Sequence, residues 1–184
     1  MDRPGPMQKA EVPIETVTRE IAMNNSADDR QAITDQIHNY CRAMDRIDHF
    51  LGYSVWHEDG TADYGPMFNG TGRAFIDWVC ETHSGMLAHA HRIANILIQL
   101  DGAIATSEAY VHATLRLEQD GTLRQANVFG RYLDRWSKRD GRWAIDARVY
   151  VQDFDDIRAV CEQIVTPWGR RDRTDPSYAV LGDI

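Results

Sequence analysis

The sequence has few of the features that mark secreted or membrane-bound proteins. It contains only three cysteines, Cys41, Cys80 and Cys161, which are too few and too widely spaced for a disulfide framework. Its longest apolar run, around residues 93–100, falls far short of the roughly 20 residues that span a bilayer. The first residues contain no apolar stretch like that of a secretory signal. We therefore expect a cytoplasmic protein with no membrane partner.

Positive charge is also scarce. The chain has 20 Lys and Arg against 28 Asp and Glu, which gives a formal net charge of −8. Proteins that bind nucleic acid need a basic face to meet the phosphate charges, so we expect no nucleic-acid partner. With 43% apolar residues, the 184 residues are enough to form one domain with a hydrophobic core.

The common cofactor and nucleophile motifs are absent as well. The sequence contains no GxGxxG or GxxxxGK[ST] phosphate loop, no HExxH zinc motif and no GxSxG nucleophile turn. We therefore expect no cofactor and no metal, so that any catalysis would use the acids and bases of the chain itself.

The first half of the sequence reads as helical. Residues 1–26 hold three of the six prolines and show little periodicity, which predicts a mobile arm. Apolar residues then recur at spacings of three and four between Ile33 and Met44, which predicts a helix over 27–45. Shorter helices are predicted over 49–56 and 73–83, with a short strand over 61–64 between them.

The second half reads as a β-meander. Three Asp-Gly pairs, at 101–102, 120–121 and 140–141, are typical of hairpin turns. They predict four antiparallel strands, over 91–100, 103–119, 122–138 and 142–152. Strands this long must twist and coil, which favours a cupped sheet.

These elements predict an α+β fold, a cone-shaped barrel in which a curved antiparallel sheet carries helices packed across its concave face. We expect one such domain over 27–153, followed over 154–184 by a C-terminal helix around 155–164 and a tail. A cup capped by helices leaves a pocket suited to a small hydrophobic substrate.

Two aspartates lie at the end of the first predicted helix. Asp45 and Asp48 face the negative end of the helix dipole, so each needs a partner, either a nearby arginine or a distant histidine. A solvated helix end with local Asp–Arg pairs is the simpler interpretation. Tyr40 lies on the apolar stripe, and its hydroxyl needs a hydrogen-bond partner. On an unbroken helix Tyr40 and Asp45 would not share a face, so they converge only if the helix ends near Asp45.

A histidine pair, His89 and His91, stands at the start of the first long strand, where alternation points both side chains the same way. Three interpretations stay open for these imidazoles. They could cap backbone groups, form half of a metal site completed by His112, or supply a general base oriented by an aspartate.

Aromatic and polar side chains on the predicted elements are candidates for the lining of the cup. Asn127 and Tyr132 lie on one strand but on opposite faces by strict alternation, so at most one of them points inward unless a bulge intervenes. Asp134 and Arg148 are expected to pair across the last hairpin as a structural pair. The candidate substrate-binding residues are His89, Trp56, Tyr64, Trp78, His112, Asn127, Phe129 and Tyr132.

Several short patterns carry a family resemblance over residues 27–153. They are Tyr40-x-x-x-x-Asp45-x-x-Asp48, Val55-Trp56-His57-Glu58-Asp59-Gly60, His91-x-x-x-Asn95, Gly130-Arg131-Tyr132-x-Asp134 and Asp140-Gly141-Arg142-Trp143. In these patterns the chain resembles the SnoaL-like branch of the nuclear-transport-factor-2-like (NTF2-like) superfamily. Within that branch it is similar to cofactor-independent lyases such as scytalone dehydratase, bile-acid 7α-dehydratase and hexachlorocyclohexane dehydrochlorinase.

The resemblance implies a set of catalytic residues and an activity. In such lyases an Asp–His pair moves a proton while a tyrosine assists the leaving group, and the matching positions are Asp45, His91 and Tyr40, with His89 as the fallback histidine. The implied reaction, in aromatic-compound catabolism, eliminates water or a small fragment such as formaldehyde from a hydrophobic, hydroxylated, aromatic or polycyclic substrate. The implied assembly is a homotrimer or, as second choice, a dimer.

The same superfamily leaves other functions open. An isomerase or hydrolase of this fold is one alternative, and a non-catalytic module that binds a small ligand is another. A separation of Asp45 and His91 beyond about 6 Å, outside hydrogen-bond reach, would favour the binding module. A cluster of His89, His91 and His112 would favour a metal-dependent enzyme.

Overall fold

The computed structural model describes residues 14–160 and 169–182, and the side chains among them from Ser26 onward. Within these described residues, four helices and six strands follow one another. They are α1 (Ile14–Arg46), α2 (His49–Ser54), β1 (Trp56–Asp63), β2 (Asn69–Thr71), α3 (Gly72–Ser84), β3 (Ala88–Asp101), β4 (Ile104–Gln119), β5 (Thr122–Arg139), β6 (Arg142–Ala159) and α4 (Pro176–Leu181).

The strands form one six-stranded sheet in the order β2-β1-β6-β5-β4-β3. The four long strands pair antiparallel through tight turns, and Gly102, Gly121 and Gly141 at these turns all have positive φ, as short hairpin turns require. The predicted meander is therefore confirmed. The sequence did not predict that β1 would pair parallel to β6, or that β2 would extend the sheet by one more strand.

Bulges bend the long strands into a curved, unclosed sheet. The pairing of β3 with β4 shifts between Ala94 and Leu97, and that of β5 with β6 shifts beside Gly130. A Cβ atom at Gly130 would lie 2.4 Å from the Val151 carbonyl oxygen and 2.7 Å from the Tyr150 ring. Glycine at this position therefore lets Tyr150 pack against the bend. The predicted α+β cone is confirmed.

Helices α1 and α3 pack on the concave face of the sheet. The predicted stripe of α1 forms part of the core, where Ile33, Ile37 and Met44 are fully buried. Helix α3 adds Phe75 and Ile76, which are also almost completely buried. The periodicity of the sequence thus identified the face of α1 that meets the sheet.

Two predicted segment boundaries are wrong. Helix α1 begins at Ile14, inside the segment predicted as an arm, while residues 1–13 lie outside the described part of the chain. The helix predicted around 155–164 is strand up to Ala159, and residues 161–168 lie outside the described residues. The strand continues there because the first half of β5 needs a partner, and Ala126 and Arg124 pair with Ile157 and Ala159.

The C-terminal segment 169–182 packs against the ends of α1 and α3. Arg46 forms an ion pair with Asp175 at 3.3 Å, and the Tyr178 hydroxyl donates to Asp48 at 2.8 Å. The Arg171 guanidinium donates to the His83 carbonyl oxygen at 2.6 Å.

None of the helices in the part of the chain that the structure describes combines the length and the hydropathy of a membrane span.

The expected homo-oligomer stays a prediction. On the convex face of the sheet the Phe129 and Phe154 rings stack, and Phe154 is 61% exposed. Sedimentation velocity at micromolar concentration should show a species larger than the 21.0 kDa chain, a trimer first and a dimer second. A single 21 kDa species under these conditions would contradict the prediction.

Candidate active site

The end of α1 is fixed by a local hydrogen-bond pattern. The Asp48 N–H donates to the Ala43 carbonyl at 2.9 Å, and the Ile47 N–H donates to the Met44 carbonyl at 3.3 Å. This is the Schellman arrangement, and it places Ile47 in the left-handed region with φ 52°. A β-branched residue adopts that conformation only at a cost, so the surrounding packing must hold the helix end in place. Asp45 consequently lies in the last turn of α1, beside strand β3.

Asp45 binds His91 through both the backbone and the ring. Strand β3 is the edge of the sheet, so an N–H on its outer side has no strand partner. The His91 N–H donates to both carboxylate oxygens of Asp45 at 3.0 Å, and Nδ1 of His91 lies 2.7 Å from Oδ1. An ionised carboxylate only accepts, so we assign the imidazole proton to Nδ1 and the lone pair to Nε2. The pair therefore has the orientation of a carboxylate-supported base.

His91 lines a cavity of about 190 Å³ enclosed by the concave face of the sheet, α1 and α3. Among the described residues of its lining, the polar side chains other than the tyrosines and the Trp78 indole are Thr82, His83, His91 and Gln152, and the rest of the wall is apolar. Such a pocket suits an apolar molecule held by a few directed hydrogen bonds. The aromatic residues of the lining are Tyr40, Tyr64, Phe75, Trp78, Tyr132 and Tyr150.

Two tyrosines of the wall share a hydrogen bond. The hydroxyl oxygens of Tyr40 and Tyr64 are 2.9 Å apart. Burial raises the pKa of Tyr40 well above its ordinary value, with a further contribution from Tyr132 and an opposing one from Arg148. Burial likewise raises the pKa of Tyr64. Both hydroxyls therefore keep their protons at neutral pH, so one donates to the other and the accepting hydroxyl still has a proton to donate.

A buried ion pair packs against the rings of Tyr40 and Tyr132. The Arg148 guanidinium donates to both carboxylate oxygens of Asp134, at 2.7 and 2.8 Å, and both side chains are fully buried. The guanidinium carbon also lies 4.2 Å from the ring centroid of Tyr40 and 4.1 Å from that of Tyr132. The Asp134–Arg148 pair expected from the sequence is present, and it holds the guanidinium against the rings of Tyr40 and Tyr132.

Asp45 and His91 form a dyad at one wall of an apolar cup in a cone-shaped α+β domain. The chain that carries this arrangement also matches a known family. Residues 25–149, more than half of the chain, match the SnoaL-like domain. The chain belongs to the SnoaL-like family. No curated protein sequence matches this SnoaL-like protein.

Solved structures with the same fold are similar along most of their length. A candidate scytalone dehydratase from Novosphingobium aromaticivorans is 21% identical with a TM-score of 0.65, covering 80% of this chain and 98% of its own. A hexachlorocyclohexane dehydrochlorinase, LinA type 3 from Novosphingobium barchaimii, is 13% identical with a TM-score of 0.66, covering 77% and 97%. An NTF2-like protein from Salmonella enterica is 21% identical with a TM-score of 0.60, covering 69% and 92%. At such identities the likeness shows the fold, which is the NTF2-like cone.

Five of the residues predicted for the site of this SnoaL-like protein line the cavity. Asp45 does not line it but contacts one of the five, His91. Asp45 contacts His91 rather than the nearby arginines through its carboxylate. Tyr40 and His91 line the same cavity, while Asp45 lies in the last turn of α1. The lining residues from the predicted set are Tyr40, Tyr64, Trp78, His91 and Tyr132.

Three predicted substrate-binding residues lie on the wrong face of the sheet. His112, Asn127 and Phe129 are on the convex face, where the His112 ring stacks on Phe129 with centroids 4.3 Å apart. The Asn127 side chain there accepts a hydrogen bond from Thr114 at 3.2 Å. The reason is register, because His91 pairs with Ala113 and therefore shares its concave face with that residue and not with His112.

Two further predicted residues are buried behind the cavity wall. Trp56 packs against Gly72, where a Cβ atom would lie 2.4 Å from the indole, and it is absent from the lining. His89 places Nε2 2.6 Å from the Met44 carbonyl oxygen, so it ties β3 to α1 and does not face the cavity. His89 is therefore corrected from a substrate-binding to a supporting position.

The histidines expected of a metal-dependent enzyme do not come together. His112 lies on the opposite face of the sheet from His91, so the set of His89, His91 and His112 does not form. Within residues 14–160 and 169–182, no group of three or more His, Cys, Asp or Glu side chains is arranged to hold a metal ion.

His83 is a cavity residue that the sequence interpretation missed. It lies in the last turn of α3, is only 7% exposed, and its ring centroid is 5.7 Å from that of His91. A signal for it was present, since Ile76, Val79 and His83 follow one another at spacings of three and four on the apolar side of the helix. An imidazole on such a stripe points toward the interior.

Proposed function

We propose that this SnoaL-like protein is a cofactor-independent lyase, in which Asp45 and His91 remove a proton from carbon to eliminate water, or from a hydroxyl group to release a small fragment such as formaldehyde. The observation that supports this most is the 2.7 Å contact between Asp45 Oδ1 and His91 Nδ1, with the imidazole at the cavity wall. A separation beyond hydrogen-bond reach would have favoured a binding module. Two proteins of the same fold are named for elimination reactions, a dehydratase and a dehydrochlorinase.

The Asp45–His91 dyad supplies the general base and then gives the proton to the leaving group. Asp45 fixes the tautomer of His91 and stabilises the imidazolium that forms when Nε2 takes the proton. The C–H electron pair becomes the second bond of the new C=C, and the C–O bond breaks with its pair on oxygen. His91 then gives its extra proton to the departing hydroxide, so that the products are an alkene and water and the imidazole is again neutral. One base at one wall implies that hydrogen and hydroxyl leave from the same side of the substrate.

The tyrosines assist without giving up their protons. Negative charge grows on the leaving oxygen, and a donor aimed at that oxygen stabilises the transition state more than the ground state. Tyr40 supplies such a donor at the cavity wall, and its 2.9 Å contact with Tyr64 orients the hydroxyl. Because burial keeps both groups protonated, each acts through a hydrogen bond.

The cavity limits the size of the substrate. Its volume of about 190 Å³ is close to that of engineered apolar cavities of ~150 Å³ that hold benzene. We therefore expect the cup to hold one ring of a hydroxylated substrate.

A product analysis tests the proposal. The purified protein is incubated with a panel of hydroxylated single-ring compounds, and the masses of the products are measured by mass spectrometry. A lyase gives a product lighter by one water or one formaldehyde, and the His91→Gln variant gives none. A product of unchanged mass would identify an isomerase instead, and binding of panel members without any product would identify a binding module.

Replacing Tyr40 with phenylalanine should cost less than loss of the dyad. The variant keeps the ring that packs on Arg148 and removes one hydrogen bond to the leaving oxygen. One such donor contributes up to about 10²–10³-fold in oxyanion sites, and Tyr64 remains nearby to compensate, so we expect a fall in kcat of about 10-fold to 100-fold. Steady-state kinetics checks this, and a loss as large as that of His91→Gln would show that Tyr40 is itself the essential acid.

A further inference from the structure

A second imidazole shares the cavity with the base. His83 reaches the cavity from α3, whereas His91 reaches it from β3, and their ring centroids are 5.7 Å apart. The dyad described above makes no use of His83. A buried polar side chain at a cavity wall needs a partner, and no described residue supplies one to the His83 ring.

The ring of His83 has an unfilled hydrogen-bonding position. Its Nδ1 atom is buried and has no hydrogen-bond partner among the described residues. The backbone at this position is nonetheless held firmly, because the His83 carbonyl accepts from Arg171 at 2.6 Å and from the Met86 N–H at 3.0 Å. Because Nδ1 is shielded from the cavity, the ring nitrogen left for a molecule in the cavity is Nε2, which has no hydrogen-bond partner among the described residues either.

We propose that His83 binds an oxygen atom of the substrate, a carbonyl oxygen, next to the carbon from which His91 takes the proton. The inference rests on the proposed lyase function and names the residue that holds the activating group. Two imidazoles at this spacing contact neighbouring atoms of one small molecule, His91 at the C–H bond and His83 at the oxygen.

The protonation state of His83 suits this role. Burial, and next the nearby His89, His91 and Arg171, lower the pKa of His83 to about 3. The ring is therefore neutral at physiological pH and donates an N–H to oxygen without competing with His91 for the proton. A neutral imidazole of this kind polarises a carbonyl in other enzymes.

The electron balance shows why such an oxygen matters. An imidazole is too weak a base to remove a proton from an unactivated C–H bond. With an adjacent carbonyl, the C–H pair forms a C=C bond as the C=O pair moves onto oxygen, which gives an enolate that the His83 N–H stabilises. The enolate then re-forms C=O, expels hydroxide from the next carbon, and the proton on His91 completes water. The products are a conjugated carbonyl compound and water.

The test compares two probes of equal shape, acetophenone and α-methylstyrene, which differ only in C=O against C=CH₂. Dissociation constants are measured by NMR titration for the wild type, His83→Phe, His83→Gln and Ser84→Ala. Ser84 is an exposed neighbour on the same helix and serves as the matched control. The quantity of interest is the ratio of the two dissociation constants within each protein, since this cancels general changes in the apolar wall.

We expect His83→Phe to shift that ratio against acetophenone by about fivefold or more, the effect of one buried hydrogen bond. His83→Gln, which keeps an N–H donor, should retain part of the preference, and Ser84→Ala should retain all of it. If circular dichroism shows that His83→Phe does not fold, His83→Met, which also lacks a donor, takes its place.

An unchanged ratio in the folded donor-free variant would overturn the inference, and so would failure of the wild type to bind either probe. These measurements record binding alone. Absence of turnover would therefore count against the lyase proposal and leave the binding result for His83 intact. Turnover together with an unchanged ratio of dissociation constants would support the lyase proposal and overturn the role of His83.

Discussion

Replacing His91 with glutamine, or Asp45 with asparagine, is expected to reduce kcat/KM for the elimination by about 10²–10⁴-fold. Glutamine fills much of the space of His91 but cannot take a proton. Asparagine keeps the size of Asp45 but removes the charge that stabilises the imidazolium, and it no longer enforces the tautomer with a free Nε2. Steady-state kinetics on any compound that the wild type converts measures both effects.

The matched control for the dyad is His89→Gln. His89 lies two residues before His91 on the same strand, but its ring bonds to the Met44 carbonyl and does not line the cavity. Glutamine can still donate to that carbonyl, so this variant should keep its activity within a few-fold. A large loss in His89→Gln with normal activity in His91→Gln would show that the fallback histidine is the base.

Replacing Asp134 with asparagine should lower the free energy of unfolding by about 3–5 kcal/mol, because it leaves the Arg148 charge buried without compensation. Both side chains are fully buried, and Arg148 makes bidentate hydrogen bonds to the carboxylate at 2.7 and 2.8 Å. Arg148→Met should have a similar effect through the unpaired carboxylate. Urea denaturation followed by tryptophan fluorescence measures the change.

An exposed ion pair of the same sheet is the control for this prediction. Arg131 donates to Asp153 at 2.9 Å, but their side chains are 28% and 32% exposed. Solvent screens such a pair, so Asp153→Asn should change the free energy of unfolding far less than Asp134→Asn does. Equal losses in Asp134→Asn and Asp153→Asn would mean that burial of the Asp134–Arg148 pair is not what makes it matter.

The sequence predicted local features of the fold well and distant pairings poorly. The Asp-Gly turns and the stripe from Ile33 to Met44 are encoded within a few residues, and both are present in the structure. Only the end of β1 was predicted as a strand, over 61–64, and because its parallel partner β6 lies far along the chain, no local pattern marked that pairing. The acidic end of β6 resembles a helix and is strand only because β5 pairs with it.

The candidate site shows the same division. The unfavourable position of Asp45 at a helix C-terminus indicated a partner, either a nearby arginine or a distant histidine, and the partner is His91. The choice of sheet face depends on single-residue register, which is why His112 and Asn127 were assigned to the cup and lie outside it. His83 was missed because its approach to His91 depends on how the turn after α3 sets that helix against β3.

The most direct test of the central claim is the turnover of the Asp45→Asn/His91→Gln double variant beside the two single variants. If the two residues act as one acid–base unit, removing the second after the first adds little, so the double variant should be about as slow as the slower single variant. Losses that multiply would mean that the two residues act independently. Full activity in either single variant, in a protein that folds normally, would contradict the account outright.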